Sequence, residues 1–382
     1  MDVEAREYED RIARLRSWME ERRIDVVMLG PGSNMRYLSG TENAGLLVVP
    51  AEGDPFLTAQ YAFGDELARR ESFLEVVVVR PRYGTSPKDV VKPNLVAEAA
   101  KRLREAGLRI RRVAVERDKG QDHLSKIRKG LRRGGRRPTL VDVGRAMRDL
   151  RAVKSEAEVE LIRRSSEIAI EAFERTVADL KEGQTEAHVA NRLEFEMREL
   201  GAEGPSFPSI VAFGEHTFNA HHVPTQKRLE KGQLVLFDFG ARYKGYCSDM
   251  TRTFVFGEEP RGKVRERLEA VFKAQEAGKR AAREGVPLME PDVAARRVLE
   301  GYGDLLDYFV HSLGHGVGLD IHEYPRLIVG ADGTLRAGMV VTVEPGIYIK
   351  GWGGVRFEDT VVVRREGVEV LTDRLTRELR LG

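Results

Sequence analysis

Four acids and a histidine, set into stretches that otherwise read as apolar strand, constrain this chain more than any other feature. Asp238 lies in QLVLFDFG, Asp249 in YCSDMTRT, His315 in HSLGHGVGLDIHE, Glu344 in VVTVEPGIY and Glu358 in GVRFEDT, all within the last 150 of 382 residues. A carboxylate is expensive to bury unless something compensates its charge. Four of them converging repel one another, and two divalent cations between them turn that repulsion into binding. Taken singly, an Asp at a strand end is an ordinary turn or cap residue, and one buried His is an ordinary satisfied polar group. The set of five, in these contexts, points to a dinuclear metallohydrolase.

Local context sharpens this reading. Lys244-Gly245 is a turn dipeptide between apolar runs, so a hairpin would set Asp238 beside Asp249. Alternation in GVRFEDTVVV places Arg356, Glu358 and Thr360 on one strand face. His315 sits in GHGVG, where glycine lets backbone approach a metal closely. Oxygen-rich ligation with a single imidazole suits Mn(II), Co(II), Fe(II) or Zn(II), whereas a structural zinc site would want thiolates. Cys247, the one cysteine, is too soft for this ligand set and reads as packing.

The length implies two domains. In the first, an amphipathic helix (about 4–22) leads into DVVMLG. Strand-like runs LLVVP (46–50), FLEVVVVR (73–80) and RRVAVE (111–116) follow, with helical stretches at 88–106 and 121–132. This alternation predicts an α/β domain, a sheet covered by helices. The loop GPGSNMRYLSG at 30–40 matches neither GxxxxGK[ST] nor GxGxxG and gives little support to a nucleotide site. Ser155 and Glu158 form a capping box ahead of Val159, Ile162, Ile170 and Phe173. A long helix and a second domain should start here, dividing the chain into 1–152 and 153–382. The second domain runs through one plan twice. Helices at about 155–180 and 185–200 precede the Asp238–Asp249 hairpin, and helices at about 263–284 and 290–301 precede the strands of Glu344 and Glu358. No residue-level repeat accompanies this, so the duplication is one of topology.

Composition excludes several classes. With 63 Lys and Arg against 61 Asp and Glu, the net charge of +2 makes no electrostatic case for a nucleic-acid partner. The basic run RRGGRRP at 132–138 is short, lacks aromatics and reads as a solvated loop. No apolar run reaches the roughly 18 residues of a membrane span. The charged N-terminus lacks a signal-peptide core, and the lone cysteine precludes an intrachain disulfide, so a cytoplasmic location is expected.

These segments resemble those of the M24-type "pita-bread" metallopeptidases, the family of methionine aminopeptidase, aminopeptidase P and prolidase. The DFG…SDMTRT pair, GHGVGLDIHE, VEPGIY and VRFED match its ordered motifs across the whole second domain. The two-domain layout is similar to the proline-specific branch. It implies a creatinase-like α/β N-terminal domain and an α+β pita-bread catalytic domain with a curved, mainly antiparallel sheet. The resemblance further implies that Asp238 holds one metal through both oxygens, that Asp249 and Glu358 bridge the pair, and that His315 and Glu344 complete the second. No ligand of the pattern is missing, which argues against metal-free creatinases and catalytically dead binding homologues. Two divalent ions are implied, manganese first and cobalt, zinc or iron after it, together with short proline-containing peptides as substrates and a homodimer.

Six of the eight histidines fall between 216 and 322. By resemblance His221 and His322 flank the substrate, bind the scissile carbonyl and stabilise the oxyanion. The spacing of seventeen residues back from Asp238 selects His221, while the adjacent His222 stays open as the alternative. His311 lines the active-site wall, and Ile321, His322 and Tyr348 form the proline pocket. Arg356 orients Glu358 or meets a substrate carboxylate, with a structural ion pair as the competing reading. His123 and His188 fall in surface helices and are uninvolved. The leading function is hydrolysis of Xaa–Pro bonds, with a dipeptidase (prolidase) ahead of aminopeptidase P. Two other classes compete. The intact ligand set speaks against a non-enzymatic binding module, and a two-metal phosphoesterase has no use for His221 and His322.

Overall fold

The computed structural model describes residues 5–83, 86, 92–117, 121–131, 137–376, 378 and 380–381, by backbone alone at 121–123 and 381. Residues 132–136 of the basic run and the His123 side chain lie outside the described residues. The chain divides into two compact units, Asp2–Arg151 and Ala152–Gly382.

The first unit runs α1 (Ala5–Glu21), β1 (Val26–Leu29), α2 (Ser33–Ser39), β2 (Leu46–Pro50), β3 (Phe56–Gln60), α3 (Asp65–Glu71), β4 (Glu75–Val79), α4 (Leu95–Glu105), β5 (Arg112–Val115), α5 (Gln121–Gly130), β6 (Thr139–Asp142) and α6 (Gly144–Ala152). Its mixed sheet has the order β4-β3-β2-β1-β5-β6, with β1 antiparallel to β2 and parallel to β5. Val26, Met28, Val113 and Val115 of the central strands pack on Ala99, Leu103 and Ile127. One sequence expectation needs correction here. Segment 30–40 is not a plain loop but contains α2, which Gly40 ends in the left-handed region at φ 83. Helix α4 starts at Leu95, because Asn94 caps it by accepting from the Ala97 N–H, and Pro93 disfavours helix just upstream; the expected start near 88 lies outside the described residues.

The second unit opens on α7 (Glu156–Ala178), where Ser155 and Glu158 form the reciprocal capping box. Then follow α8 (Glu186–Glu199), β7 (Gly204–Pro205), β8 (Ile210–Phe213), β9 (Leu234–Phe239), β10 (Ala241–Tyr243), β11 (Tyr246–Cys247) and β12 (Met250–Phe256). The remainder is α9 (Gly262–Ala281), α10 (Glu290–Glu300), β13 (Gly314–Gly316), β14 (Glu323–Leu327), β15 (Val340–Val343), β16 (Gly346–Ile349), β17 (Gly353–Arg356), β18 (Asp359–Arg364), β19 (Gly367–Val370) and β20 (Arg380–Leu381). The larger sheets have the orders β20-β12-β9-β8 and β14-β13-β15-β18-β19. Their ladders are antiparallel except for β12–β20.

Each sheet has its own core. Phe173 of α7 stacks on Phe239 at 5.1 Å between centroids and meets Phe237 edge-on, with Leu193 and Phe254 completing the cluster. Val271, Ala274 and Leu299 of α9 and α10 lie in one cluster with Val341, Val343, Val361 and Val363. A helix pair followed by an antiparallel strand pair thus occurs twice. The two sheets meet at an isolated bridge between Thr251 and Glu358. That bridge also corrects the expected continuous strand through Arg356, Glu358 and Thr360. The Glu358 N–H is taken by the Thr251 carbonyl, so β17 ends at Arg356 and pairs with β16, while β18 pairs with β15.

Candidate metal centre

The acids converge at this seam because of where the strands end. Asp238 is the penultimate residue of β9, Asp249 precedes β12, Glu344 follows β15 and Glu358 precedes β18. Lys244 and Gly245 take φ 48 and 84 at the β10–β11 turn, which returns the chain to Asp249. Gly240 allows the close approach between them, since a Cβ there would lie 1.8 Å from the Ser248 carbonyl oxygen.

The ring of His315 is aimed by its backbone. Nδ1 lies 3.1 Å from the Gly316 carbonyl, which engages the N–H and leaves the Nε2 lone pair facing the acids. Nε2 is 3.5 Å from Asp249 Oδ2 and 3.4 Å from Glu344 Oε1. Asp249, His315 and Glu358 each offer a donor atom, all within 4.8 Å of one another. Burial, helped by His322 and Arg326, pushes the His315 imidazole down to about 4, so it is neutral and able to donate its lone pair.

The carboxylates are under strain of charge. Burial first, then repulsion from Glu358, Asp238 and Glu344, holds Asp249 well above the usual range. Glu358 rises for the same reasons, and burial lifts Glu344 to about 8, with Asp238 adding to it. Asp238 Oδ1 is buried with no donor among the described residues. An orphaned oxygen, an unshared imidazole lone pair and mutually repelling acids are what divalent cations would neutralise, and the donor set is the hard, oxygen-rich kind that accepts such ions.

Arg356 is the cation built into the cluster. It is 3% exposed, and its guanidinium donates to Asp238 Oδ2 and Tyr348 Oη. Its Nε donates to Thr251 Oγ1 at 3.1 Å, and that hydroxyl donates to Glu358 Oε2 at 2.6 Å. Arg356 thus grips Asp238 directly, as in the ion-pair reading, and reaches Glu358 by hydrogen bonds through Thr251. Tyr348, pushed up to about 12 by burial, lies 3.1 Å from His311 Nε2. His311 Nδ1 in turn faces the Ser312 carbonyl at 2.8 Å, and burial lowers this imidazole to about 4.

The adjacent histidines part company. His222 is buried, with Nε2 2.9 Å from Glu186 Oε2. His221 is exposed, with its backbone amide hydrogen-bonded to Asn219, and its charge is felt at both His311 and His322. His322 packs edge-on to His315 at 4.4 Å. Although exposed overall, its imidazole is pushed below its ordinary value by desolvation, His221 and Arg326. Ile321 is half-buried and approaches His315 through its backbone. Cys247 is buried, and its thiol is pushed up to about 12 by that burial. His188 is exposed on α8. Sequence reasoning missed Thr251, Glu186 and Arg326. Arg326 is exposed and lies opposite His315 in the β13–β14 register, so the two side chains share a sheet face.

The chain matches the model of metallopeptidase family M24 over residues 160–365 and that of the creatinase/prolidase N-terminal domain over residues 11–153. It is 37% identical over 372 residues to an Xaa-Pro dipeptidase of Pyrococcus furiosus, covering 97% of this chain and 99% of that protein. A solved Xaa-Pro dipeptidase from Bacillus anthracis superimposes with a TM-score of 0.86 at 34% identity, covering 98% of this chain and all (100%) of that one. An X-Pro aminopeptidase from Thermotoga maritima superimposes with a TM-score of 0.82 at 31% identity, covering 94% and 99%. With both domain models matched and nearly the full length in common with these proteins, the chain belongs to metallopeptidase family M24.

Proposed function

We propose that the protein is an Xaa-Pro dipeptidase whose two divalent cations are held by Asp238, Asp249, His315, Glu344 and Glu358. The observation that carries this is the convergence of Asp249, His315 and Glu358 donor atoms within 4.8 Å at the seam, on a chain 37% identical to a protein named Xaa-Pro dipeptidase. Cations bound there supply a water nucleophile at neutral pH and polarise the peptide carbonyl. The chain's own groups do the rest. His221 and His322 flank the carbonyl, hydrogen-bond it and stabilise the developing oxyanion. Arg356 fixes Asp238, and the His311–Tyr348 pair forms a wall for the proline ring beside Ile321. Proline has no amide hydrogen, so a wall whose polar groups are already engaged with one another, as His311 and Tyr348 are, suits it. An ordinary residue would leave an N–H unsatisfied, at about 1–3 kcal/mol.

A dipeptide also carries a carboxylate one residue past the scissile bond. Arg326, exposed on the His315 face, is the cation we assign to it. The similarity to an X-Pro aminopeptidase favours a second reading, action on longer peptides. Hydrolysis of Ala-Pro beside Ala-Pro-Ala separates the two, with Ala-Ala as control and Mn(II), Co(II) and Zn(II) supplied in turn. The dipeptidase reading requires Ala-Pro to be preferred, Mn(II) to support activity, and Arg326→Gln to raise KM for Ala-Pro while sparing any tripeptide turnover. Comparable kcat/KM for Ala-Pro and Ala-Ala would refute proline specificity. We also assign a homodimer and a cytoplasmic location, the former to be read from the mass in solution.

A further inference from the structure

Glu186 is fully buried (0% exposed) at the first position of α8, and no lysine or arginine among the described residues pairs with it. Its charge is met by hydrogen bonds alone. Oε1 accepts from the Phe213 amide and faces His216 Nδ1, each at 2.9 Å. Oε2 faces His222 Nε2 at 2.9 Å and accepts from the Thr225 amide at 2.9 Å and its hydroxyl at 2.6 Å. The helix N-terminus adds a favourable field. These bonds outweigh the burial and hold the carboxyl below its ordinary value. All five donors come from one short stretch, residues 213–225. The same stretch docks again on the start of α8, where Glu186 and Ala187 amides donate to the Lys227 and Thr225 carbonyls.

This stretch carries His221, between two of the five clamped groups. On its other side Thr217 Oγ1 accepts from the Gly354 amide at 2.8 Å. A Cβ on Gly354 would lie 2.2 Å from the Thr217 carbonyl oxygen. The arc therefore lies directly on β17, which ends at Arg356. With His216 and His222 both turned onto Glu186, His221 is the one of the three rings not held there among the described contacts, and its charge lowers both His311 and His322. Both carboxylate oxygens are already saturated with donors, which argues against a third metal ion among Glu186, His216 and His222.

We propose that Glu186 is a positioning residue for His221: its carboxylate clamps both ends of the 213–225 arc and so sets where that imidazole meets the substrate. The proposal rests on the Xaa–Pro hydrolase reading given above. The test compares the metal-loaded protein, Glu186→Gln, His221→Ala and the double variant on Ala-Pro. Glu186→Gln should lower kcat/KM about 10- to 100-fold while retaining the parent's metal content. In the His221→Ala background the same substitution should change kcat/KM by less than about threefold. An equal loss in both backgrounds would overturn the proposal, because it would mean a general structural role. Thr225→Val, which removes one donor and keeps the charge, should show a smaller loss with the same dependence on His221. Hydrogen exchange gives a readout free of activity. The Phe213 and Thr225 amides should exchange faster in Glu186→Gln, while those of β15 and β18 stay protected. Unchanged exchange at 213–225, or loosening of the whole unit, would count against the clamp. So would a third tightly bound zinc that disappears with Glu186. If the parent protein failed to cleave Ala-Pro, the hydrolase reading would fall, and the exchange result would still decide for or against the clamp.

Discussion

Removing the metal should invert the usual dependence of stability on pH. The ordinary carboxyl value for Glu344 is 4.5, and in the folded, metal-free site it stands at about 8. Between those values the folded state holds a proton that the unfolded chain has released. Stability therefore falls as pH rises through this window. At 1.36 kcal/mol per pH unit, Glu344 alone removes roughly 3–5 kcal/mol by pH 8, a large share of the about 5–15 kcal/mol that holds a typical domain folded. Asp249 and Glu358 are raised in the same direction and steepen the fall. The neutral imidazoles of His311 and His315, each lowered from 6.5 to about 4, oppose the fall below pH 6.5, so it shows above that value, where Asp359 does not compensate. Arg252 and Lys279 hold it at about 2 from its ordinary 3.8, so its stabilising contribution is complete above about pH 4 and lost only as pH drops toward 2. Metal binding deprotonates the acids, and the loaded protein should gain stability with pH where the stripped one loses it. The assay is urea unfolding in chelator at half-unit steps from pH 6.5 to 8, repeated with Mn(II) and with metal-free Glu344→Gln, which should lose its part of the slope. A metal-free stability that is flat or rising across this range would refute the electrostatic account of the site.

Other outcomes follow from the same contacts. Asp249→Ala or Glu358→Ala should lose at least one metal and nearly all activity, whereas His322→Ala should keep both ions and lose on the order of 10²-fold in kcat; metal analysis beside kinetics checks this. Lys154 and Glu323 form an ion pair at 3.2 Å with side chains 1% and 5% exposed, so Lys154→Met should cost about 3–5 kcal/mol in denaturant unfolding by removing the cation from a buried carboxylate that keeps the Asp320 amide as donor. Cys247, buried with its thiol raised to about 12, should resist alkylation in the native protein and react only on unfolding.

The candidate ligands were readable in the sequence because each acid interrupts a run whose apolar pattern already declares a strand, and a charge there needs a physical reason. The Lys244-Gly245 turn was readable because Gly245 suits positive φ. The capping box at Ser155 was readable because the whole motif is local. What escaped is what depends on distant partners. Thr251 and Glu358 bridge across 107 positions, so nothing in VRFED announces that its strand breaks. Glu186 sits among ordinary helix-opening residues, and its donors lie 27–39 positions downstream. Arg326 is one of many arginines, and only the register opposite His315 distinguishes it. The choice between His221 and His222 likewise needed the partner that claims the second ring.

The seam between the two sheets has a meaning for how such a centre can arise. Each helix-pair and strand-pair half delivers two acids to the same edge, so either half alone would present half a coordination shell on an unpaired border. A shorter ancestral chain of that kind would complete the centre only by meeting a second copy of itself, with occupancy tied to its concentration. Joining the copies end to end makes the encounter intramolecular and permanent. Once joined, the halves are released from being identical: one can acquire an imidazole such as His315 while the other grows the arc that carries His221, and an originally symmetric ion trap becomes a catalyst with a direction.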